Sequence, residues 1–139
     1  MGFLLDTNVL SEPQRPRPSA TVLGWLDSVP SDELWTSTLV LGELRKGVEL
    51  LRRRDAVRAA RLEDWLGRLV HTYGDRVLPV TADVAVEWGR MNVPDPLPAV
   101  DGYLAATARV HGLTLATRNV KDVERTGVSV LNPFDSPAG

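Results

Sequence analysis

Four acidic residues stand where the sequence predicts the ends of buried strands or the helices that directly follow them. They are Asp6, Glu43, Asp101 and Asp122, and Asn119 lies close to the last of them. Carboxylates gathered near one point repel each other and are stabilised by a cation, and oxygen ligands favour Mg²⁺ or Mn²⁺. Such an ion can activate water and polarise a phosphodiester. The arrangement therefore predicts metal-dependent hydrolysis of a phosphate bond.

Most of these positions also have a purely structural interpretation, which the sequence alone leaves open. Asp6 suits the N-cap of a short helix. Asp101 falls in the first turn of a predicted helix, where the helix dipole favours an acid. Asn119 and Asp122 are both typical of turns. Taken singly, none of the four requires a metal, and it is their common position at strand ends that favours a shared site.

Glu43 is the most informative of the acids. On a helical wheel it falls inside a broad apolar arc of its predicted helix, where a carboxylate is costly unless it is paired or bound to a metal. Lys46, three residues further on, offers the alternative of an ordinary ion pair. We therefore expect Glu43 to point toward the interior and to meet either Lys46 or a metal there.

The composition excludes several other kinds of site. The chain has 139 residues, no cysteine and two histidines, so disulfides, thiolate catalysis and cysteine-bound zinc are ruled out. The sequence contains neither a glycine-rich phosphate loop nor a serine–histidine–aspartate set. No apolar run approaches the roughly 20 residues of a membrane span, and residues 1–6 do not resemble a signal peptide. We expect a cytoplasmic protein without a membrane partner.

Short apolar strands alternate with helices along the chain. Strands are expected at 3–5, 34–37, 77–80, 113–116 and 128–131. Helices are expected at about 20–26, 38–51, 56–72, 81–91 and 98–110. This alternation predicts an α/β fold with a mostly parallel sheet of about five strands. Sites in such sheets lie beyond the carboxyl ends of the strands. We expect one domain over residues 1–134 and a flexible tail at 135–139.

Four segments in order resemble the acidic motifs of the PIN-domain family, and of its VapC-type toxins in particular. The segments are Leu-Leu-Asp-Thr-Asn-Val-Leu at 4–10, Leu-Gly-Glu-Leu-Arg-Lys-Gly at 41–47, Val-Asp-Gly-Tyr-Leu-Ala-Ala-Thr-Ala at 100–108 and Leu-Ala-Thr-Arg-Asn-Val-Lys-Asp-Val at 115–123. Leu-Asn-Pro-Phe at 131–134 is similar to the usual ending of the family. The resemblance covers nearly the whole chain.

The resemblance implies a three-layer α/β/α sandwich and Mg²⁺-dependent cleavage of RNA, with Mn²⁺ as a substitute. It also implies a homodimer, and inhibition by a cognate VapB-type antitoxin. Asp6, Glu43 and Asp101 match the acidic metal-binding positions. Many PIN domains have aspartate where this chain has Asn119, so Asp122 is the candidate for the fourth acid, acting through a water.

Further residues have supporting roles in this hypothesis. Thr7 and Thr117 are expected to orient the carboxylates by hydrogen bonds. Arg118 is a candidate contact for RNA phosphate, although an exposed arginine with no such role fits the sequence better. The two helices at 38–51 and 56–72 either pack in the ordinary way or leave a groove for an antitoxin segment.

Two other functions remain open on the sequence. A phosphatase could use Asp6 as its nucleophile, but such enzymes usually carry a second acid two residues later, where this chain has Asn8. A module with the same fold could instead bind RNA or protein without cleaving it, and Asn119 in place of an acid leaves room for that.

Overall fold

Five parallel strands form one sheet through the part of the chain that the structure, a computed structural model, describes: residues 2–135. In chain order they are β1 (Phe3–Leu5), β2 (Leu34–Ser37), β3 (Val77–Leu78), β4 (Thr114–Ala116) and β5 (Val130–Leu131). The strands lie in the order β3-β2-β1-β4-β5, and every neighbouring pair is parallel. The predicted parallel α/β sheet is confirmed.

Seven α-helices connect or follow these strands within residues 2–135. They are α1 (Thr7–Leu10), α2 (Ala20–Ser28), α3 (Thr38–Arg52), α4 (Ala56–Tyr73), α5 (Ala82–Met91), α6 (Ala99–His111) and α7 (Val120–Val123). Short 3₁₀ turns lie at Glu12–Gln14, Ser31–Glu33, Gly74–Arg76 and Glu124–Thr126. Side chains cap the starts of several helices, as with Ser37, whose hydroxyl accepts from the Leu39 backbone N–H at 3.1 Å.

The chain reverses direction across the sheet at β1. It runs from β1 to β2 and β3 on one side, then returns through α5 and α6 to β4 on the other side of β1. Right-handed crossovers in opposite directions place helices on opposite faces, which gives the predicted three layers. The point where the direction changes, between β1 and β4, is where an open parallel sheet has its ligand site.

The core is centred on β1, β4 and α6. Leu4 and Leu5 of β1 are fully buried, and so are Leu104, Ala105 and Ala108 of α6. Small alanine side chains allow α6 to pack close to the neighbouring layer. Because α6 also carries Asp101 in its first turn, this packing fixes the position of that acid at the edge of the sheet.

Three strands are shorter than predicted, and the one expected at 113–116 begins only at Thr114. The strand expected at 77–80 stops at Leu78, because Pro79 has no backbone N–H to continue the ladder. The strand expected at 128–131 begins only at Val130, since the Val128 N–H donates to Thr126 Oγ1 at 3.2 Å instead. No helix within 2–135 is long and apolar enough to span a membrane. Of the predicted tail, residues 136–139 lie outside the described residues.

Candidate active site

Asp6 and Thr117 lie side by side at the carboxyl ends of β1 and β4. Leu5 and Ala116 are register partners, so the residue that follows each strand emerges beside the other. The Asp6 N–H donates to Ala116 O at 3.0 Å, and the Thr117 hydroxyl donates to Asp6 Oδ2 at 2.6 Å. Thr117 therefore orients this carboxylate, in the role that the sequence predicts for it.

The Asp6 carboxylate serves both as a helix cap and as part of the site. Its Oδ1 accepts from the Thr7 backbone N–H at 2.6 Å at the start of α1. The residue is only 4% exposed. Burial raises the pKa of Asp6, the bonds from Thr117 and Thr7 oppose that rise, and the nearby charge of Glu43 adds to it. A buried acid with this environment is stabilised by any cation that reaches it.

Glu43 does not point into the core, so this expectation is wrong. It is exposed on α3, whose buried side is a narrow stripe of Val40, Leu44, Val48 and Leu51. Leu50, part of the predicted apolar arc, is 57% exposed. Glu43 sits at the edge of the stripe, where it faces the cleft and accepts a hydrogen bond from Thr7 Oγ1 to Oε1 at 2.5 Å.

The ion pair that Lys46 offered to Glu43 is not formed between these two described side chains. Both instead line the same cleft, with Lys46 exposed one helical turn further along α3. The partner of Glu43 is Thr7, which follows Asp6 in the chain. The Thr7 hydroxyl therefore orients an acid that lies on α3. Thr7 thus orients Glu43 through its side chain and Asp6 through its backbone, as predicted for a residue that positions carboxylates.

Asp101 shows the repulsion expected of acids that share a site. It lies half-buried in the first turn of α6 and lines the cleft with Asp6 and Glu43. Burial raises the pKa of Asp101 to about 6, and the charges of Asp6, Asp122 and Glu43 contribute in the same direction. The four predicted acids therefore interact electrostatically although they come from four elements.

The fourth position is divided between Asn119 and Asp122. Asn119 lines the cleft, and its backbone N–H donates to Thr117 Oγ1 at 3.0 Å. Asp122 is exposed on α7 and lines a neighbouring surface cavity, yet it lies close enough to Asp101 for a carboxyl–carboxyl hydrogen bond. Asn119 therefore contributes an amide to the lining of the cleft, and Asp122 approaches Asp101 from the neighbouring cavity.

The cleft has the composition of a cation site in an open arrangement. Its lining residues are Asp6, Thr7, Asn8, Glu43, Lys46, Gly47, Leu50, Asp101 and Asn119. Within residues 2–135, no three acidic or histidine side chains stand close enough together to enclose one ion. The oxygen donors and the mutual repulsion of the acids have the chemistry of a divalent-cation site, although the acids stand too far apart here to enclose an ion.

A comparison with protein families matches residues 3–127 of this chain to the PIN domain. The chain belongs to the PIN domain family. It is 38% identical to the protein named Toxin FitB from Neisseria gonorrhoeae, over 95% of this chain and 98% of that one. It is 32% identical to the VapC ribonuclease Y4jK of Sinorhizobium fredii, over 96% of this chain and 98% of that protein.

The fold of this PIN domain is also close to that of a solved relative. The crystal structure of FitAcB from Neisseria gonorrhoeae superposes with a TM-score of 0.90 at 36% identity, covering 96% of this chain and 99% of that one. The acids that the sequence motifs indicated therefore lie in the predicted fold.

Asn8 is a residue of the PIN-domain cleft to which the sequence assigned no positive role. Its Oδ1 accepts from the Arg118 backbone N–H at 3.2 Å, so it ties the loop after β4 to the start of α1. This contact joins residues 110 positions apart, which no local pattern could indicate. It also counts against the phosphatase alternative, since Asn8 holds a loop in the position where that chemistry needs an acid.

An apolar groove adjoins the cleft. It runs between α3 and α4, with Leu44, Leu51, Leu62 and Trp65 among its lining and Arg54 and Arg58 at its rim. Thr7, Glu43 and Gly47 line both the groove and the cleft. The two helices pack on each other in the ordinary way through Val48, Leu51, Ala59 and Leu62, and the groove along them leads directly to the acids.

Proposed function

We propose that this PIN domain is an endoribonuclease that depends on Mg²⁺ or Mn²⁺ and acts as the toxin of a toxin–antitoxin pair in the cytoplasm. The observation that carries the proposal is that Asp6, Glu43 and Asp101 line one cleft beside the carboxyl ends of the strands, with Asp122 close to Asp101. Relatives of nearly full length at 38% and 32% identity are named a toxin and a ribonuclease, which supports the same activity here.

Asp6, Glu43 and Asp101 would hold the cation, and Asp122 would add negative charge through Asp101. Their oxygens are the donors that Mg²⁺ and Mn²⁺ prefer, whereas the chain has no cysteine for softer metals. When bound, the ion supplies Lewis-acid polarisation of a phosphate and lowers the pKa of water. Asn119 offers a neutral amide oxygen to the same cleft.

The residues of the cleft then position the reacting groups. Thr117 Oγ1 and the Thr7 N–H hold the two oxygens of Asp6, which fixes this carboxylate before substrate binds. Thr7 Oγ1 holds Glu43 Oε1, leaving Oε2 to bind the ion or to accept a proton from the attacking water. Lys46 is the basic side chain in the lining and is suited to bind the RNA phosphate.

The groove between α3 and α4 is the proposed binding site of a VapB-type antitoxin segment. Its leucines and Trp65 suit the apolar face of a peptide, while the acids at its end suit an arginine. An arginine that reached Asp6 and Glu43 would supply the positive charge that the cation otherwise provides. Inhibition would then follow from competition for the acids.

A homodimer is the proposed assembly, and α5 is its most suitable surface. This helix leaves Ala82, Ala85 and Gly89 exposed together with Val86, which is 74% exposed. Val86→Glu is expected to convert a dimer into a monomer, because a carboxylate would be buried without a partner. Light scattering would measure it, with Val57→Glu on α4 as the matched control, since Val57 is 66% exposed. An unchanged mass for Val86→Glu would contradict this interface.

The proposed activity is tested most directly at Asp6. Purified protein with Mn²⁺ is expected to cleave a structured RNA, and Asp6→Asn is expected to lower the rate about a thousandfold or more, since several kcal/mol of charge stabilisation is lost. Gel analysis of end-labelled RNA measures the rate. Asp27→Asn, an exposed acid on α2, is the control and should cleave normally. Equal cleavage by Asp6→Asn and the unchanged protein would exclude this site.

The non-catalytic alternative makes a different prediction for the same variants. A module that only binds RNA or protein would remain toxic on expression after Asp6→Asn, because binding does not need the acid. Toxicity that disappears with Asp6→Asn while the protein remains folded favours the enzyme.

A further inference from the structure

Arg118 and Phe134 form a stacked pair beside the acidic cleft. Arg118 lies two residues after β4 and Phe134 three residues after β5, and these neighbouring strands are parallel. Both side chains therefore reach the same edge of the sheet as Asp6. The guanidinium carbon of Arg118 is 3.7 Å from the centroid of the Phe134 ring, which is within the range of a cation–π contact.

Hydrogen bonds to the backbone hold both members of the pair. The Arg118 N–H donates to Asn8 Oδ1 at 3.2 Å, which ties it to the cleft. The Phe134 N–H donates to Asn132 Oδ1 at 2.9 Å within a turn whose Pro133 is buried. These bonds hold the backbones of both residues at the edge of the sheet that carries Asp6.

The Arg118 side chain is exposed and is not engaged by an acid. No ion pair joins it to a carboxylate within residues 2–135, although several other arginines of that range form such pairs. Phe134 contacts the guanidinium on one side, and Arg118 as a residue is exposed. A planar cation with an open face is a surface on which an aromatic ring can stack.

The surface around the stacked pair is continuous with the acidic cleft. Asn119, the next residue, lines the acidic cleft and also the adjoining surface cavity, which Arg118, Lys121 and Asn132 line together with Asp122, Glu124 and Asp135. A nucleotide whose phosphate lies at the acids would therefore have its neighbouring base close to Arg118.

We propose that Arg118, held flat by Phe134, is a stacking platform for a nucleobase next to the cleaved phosphate. The inference rests on the proposed ribonuclease function and specifies its substrate: RNA with an unpaired base at the cut. Proteins bind unpaired bases by stacking them on aromatic rings and guanidinium planes, and a base in a continuous duplex is not available for this. Arg118 is then a residue that determines specificity, and its planar shape matters more than its charge.

The first test combines a protein change with a substrate change. The cut in a single-stranded RNA of mixed sequence is mapped, and the base on either side of it is replaced by an abasic ribose. Arg118→Lys keeps the charge but loses the plane, and it should lower kcat/KM about tenfold. With the unchanged protein, one of the two abasic substrates should lower kcat/KM by a similar factor. With Arg118→Lys, the same abasic substrate should lower kcat/KM little further, because the stacking contact is already lost. Arg68→Lys on the exposed side of α4 is the matched control.

Salt dependence separates stacking from a phosphate contact. For a stacking platform, Arg118→Lys and Arg118→Gln should both leave the slope of log kcat/KM against log salt nearly unchanged, whereas loss of a phosphate contact would make the slope for Arg118→Gln shallower by about one. Normal kcat/KM for Arg118→Lys, or losses from Arg118→Lys and both abasic substrates that simply multiply, would overturn the proposal. Phe134→Leu, checked for folding by circular dichroism, should repeat the loss seen with Arg118→Lys.

A binding experiment keeps this test separate from the catalytic one. Asp101→Asn protein should bind fluorescent single-stranded RNA of mixed sequence, and adding Arg118→Lys should weaken that binding about tenfold in an anisotropy titration. If the unchanged protein cleaves no RNA, the proposed ribonuclease function is wrong. The anisotropy titration still shows whether Arg118 contributes to RNA binding by stacking. Equal binding with and without Arg118→Lys overturns the platform whatever the outcome for cleavage.

Discussion

Asp101→Asn is expected to abolish RNA cleavage and, in the absence of divalent metal, to make the protein more stable at neutral pH. The loss of cleavage should be about a thousandfold or more, because the variant removes one of three proposed metal-binding charges. The gain in stability has the same origin. Asp101 is half-buried beside Asp6, Asp122 and Glu43, and its charge is disfavoured in the folded state.

The pH at which the two proteins diverge follows from the pKa of Asp101. Folding raises that pKa from its ordinary value of 3.8 to about 6, so the folded state holds a proton more tightly than the unfolded state. Protonation of Asp101 therefore raises the free energy of unfolding of the unchanged protein. This contribution is complete below about pH 4 and is lost as pH rises to about 6. The full shift corresponds to about 3 kcal/mol, and solvent screening of this partly exposed group reduces it to about 1 kcal/mol.

Thermal unfolding in a chelator measures this effect. Asp101→Asn should unfold about 3 °C higher than the unchanged protein at pH 7.5, and the difference should vanish near pH 4. Addition of Mn²⁺ should raise the Tm of the unchanged protein and leave the variant nearly unaffected. Asp83→Asn at the exposed start of α5 is the control. A variant less stable than the unchanged protein at pH 7.5 would show that Asp101 has a structural role instead.

The sequence was sufficient to predict which strand ends carry the acids. Strand β2 was predicted at its observed bounds of Leu34–Ser37. The approach of Asp6 to Asp101 was predictable from a general rule about parallel sheets, without any contact being visible. Local patterns combined with one topological rule thus located the cleft.

The orientation of Glu43 could not be predicted in the same way. Hydrophobic residues such as Leu50 extended the apparent apolar arc of α3, but only a narrow stripe of that helix is covered by its neighbours. Which part of an apolar arc is buried depends on the width of the packed surface, and this is a tertiary property. The link from Asn8 to Arg118 was unpredictable for a related reason, since the two residues meet only once β1 and β4 are paired.

Thr117→Val is expected to weaken metal binding and cleavage about 10- to 100-fold, although Thr117 is not a proposed ligand. Its hydroxyl is fully inside the protein, donates to Asp6 Oδ2 at 2.6 Å and accepts from the Asn119 N–H at 3.0 Å. Valine has the same shape but leaves both partners unsatisfied. Removal of this bond raises the pKa of Asp6 further, because the bond now opposes the effect of burial.

Thr117→Ser is the control that separates orientation of Asp6 from packing. Serine keeps the hydroxyl but loses a buried methyl group, so it should cost about 1 kcal/mol in stability while cleavage stays within a few fold of normal. Thr117→Val should lose about 1 to 3 kcal/mol through unsatisfied polar groups and should need more Mn²⁺ for half-maximal cleavage. Mn²⁺ titrations of the cleavage rate, with urea unfolding in chelator, measure the two effects separately. If serine impaired cleavage as much as valine, the methyl contact and not the bond to Asp6 would be what the site requires.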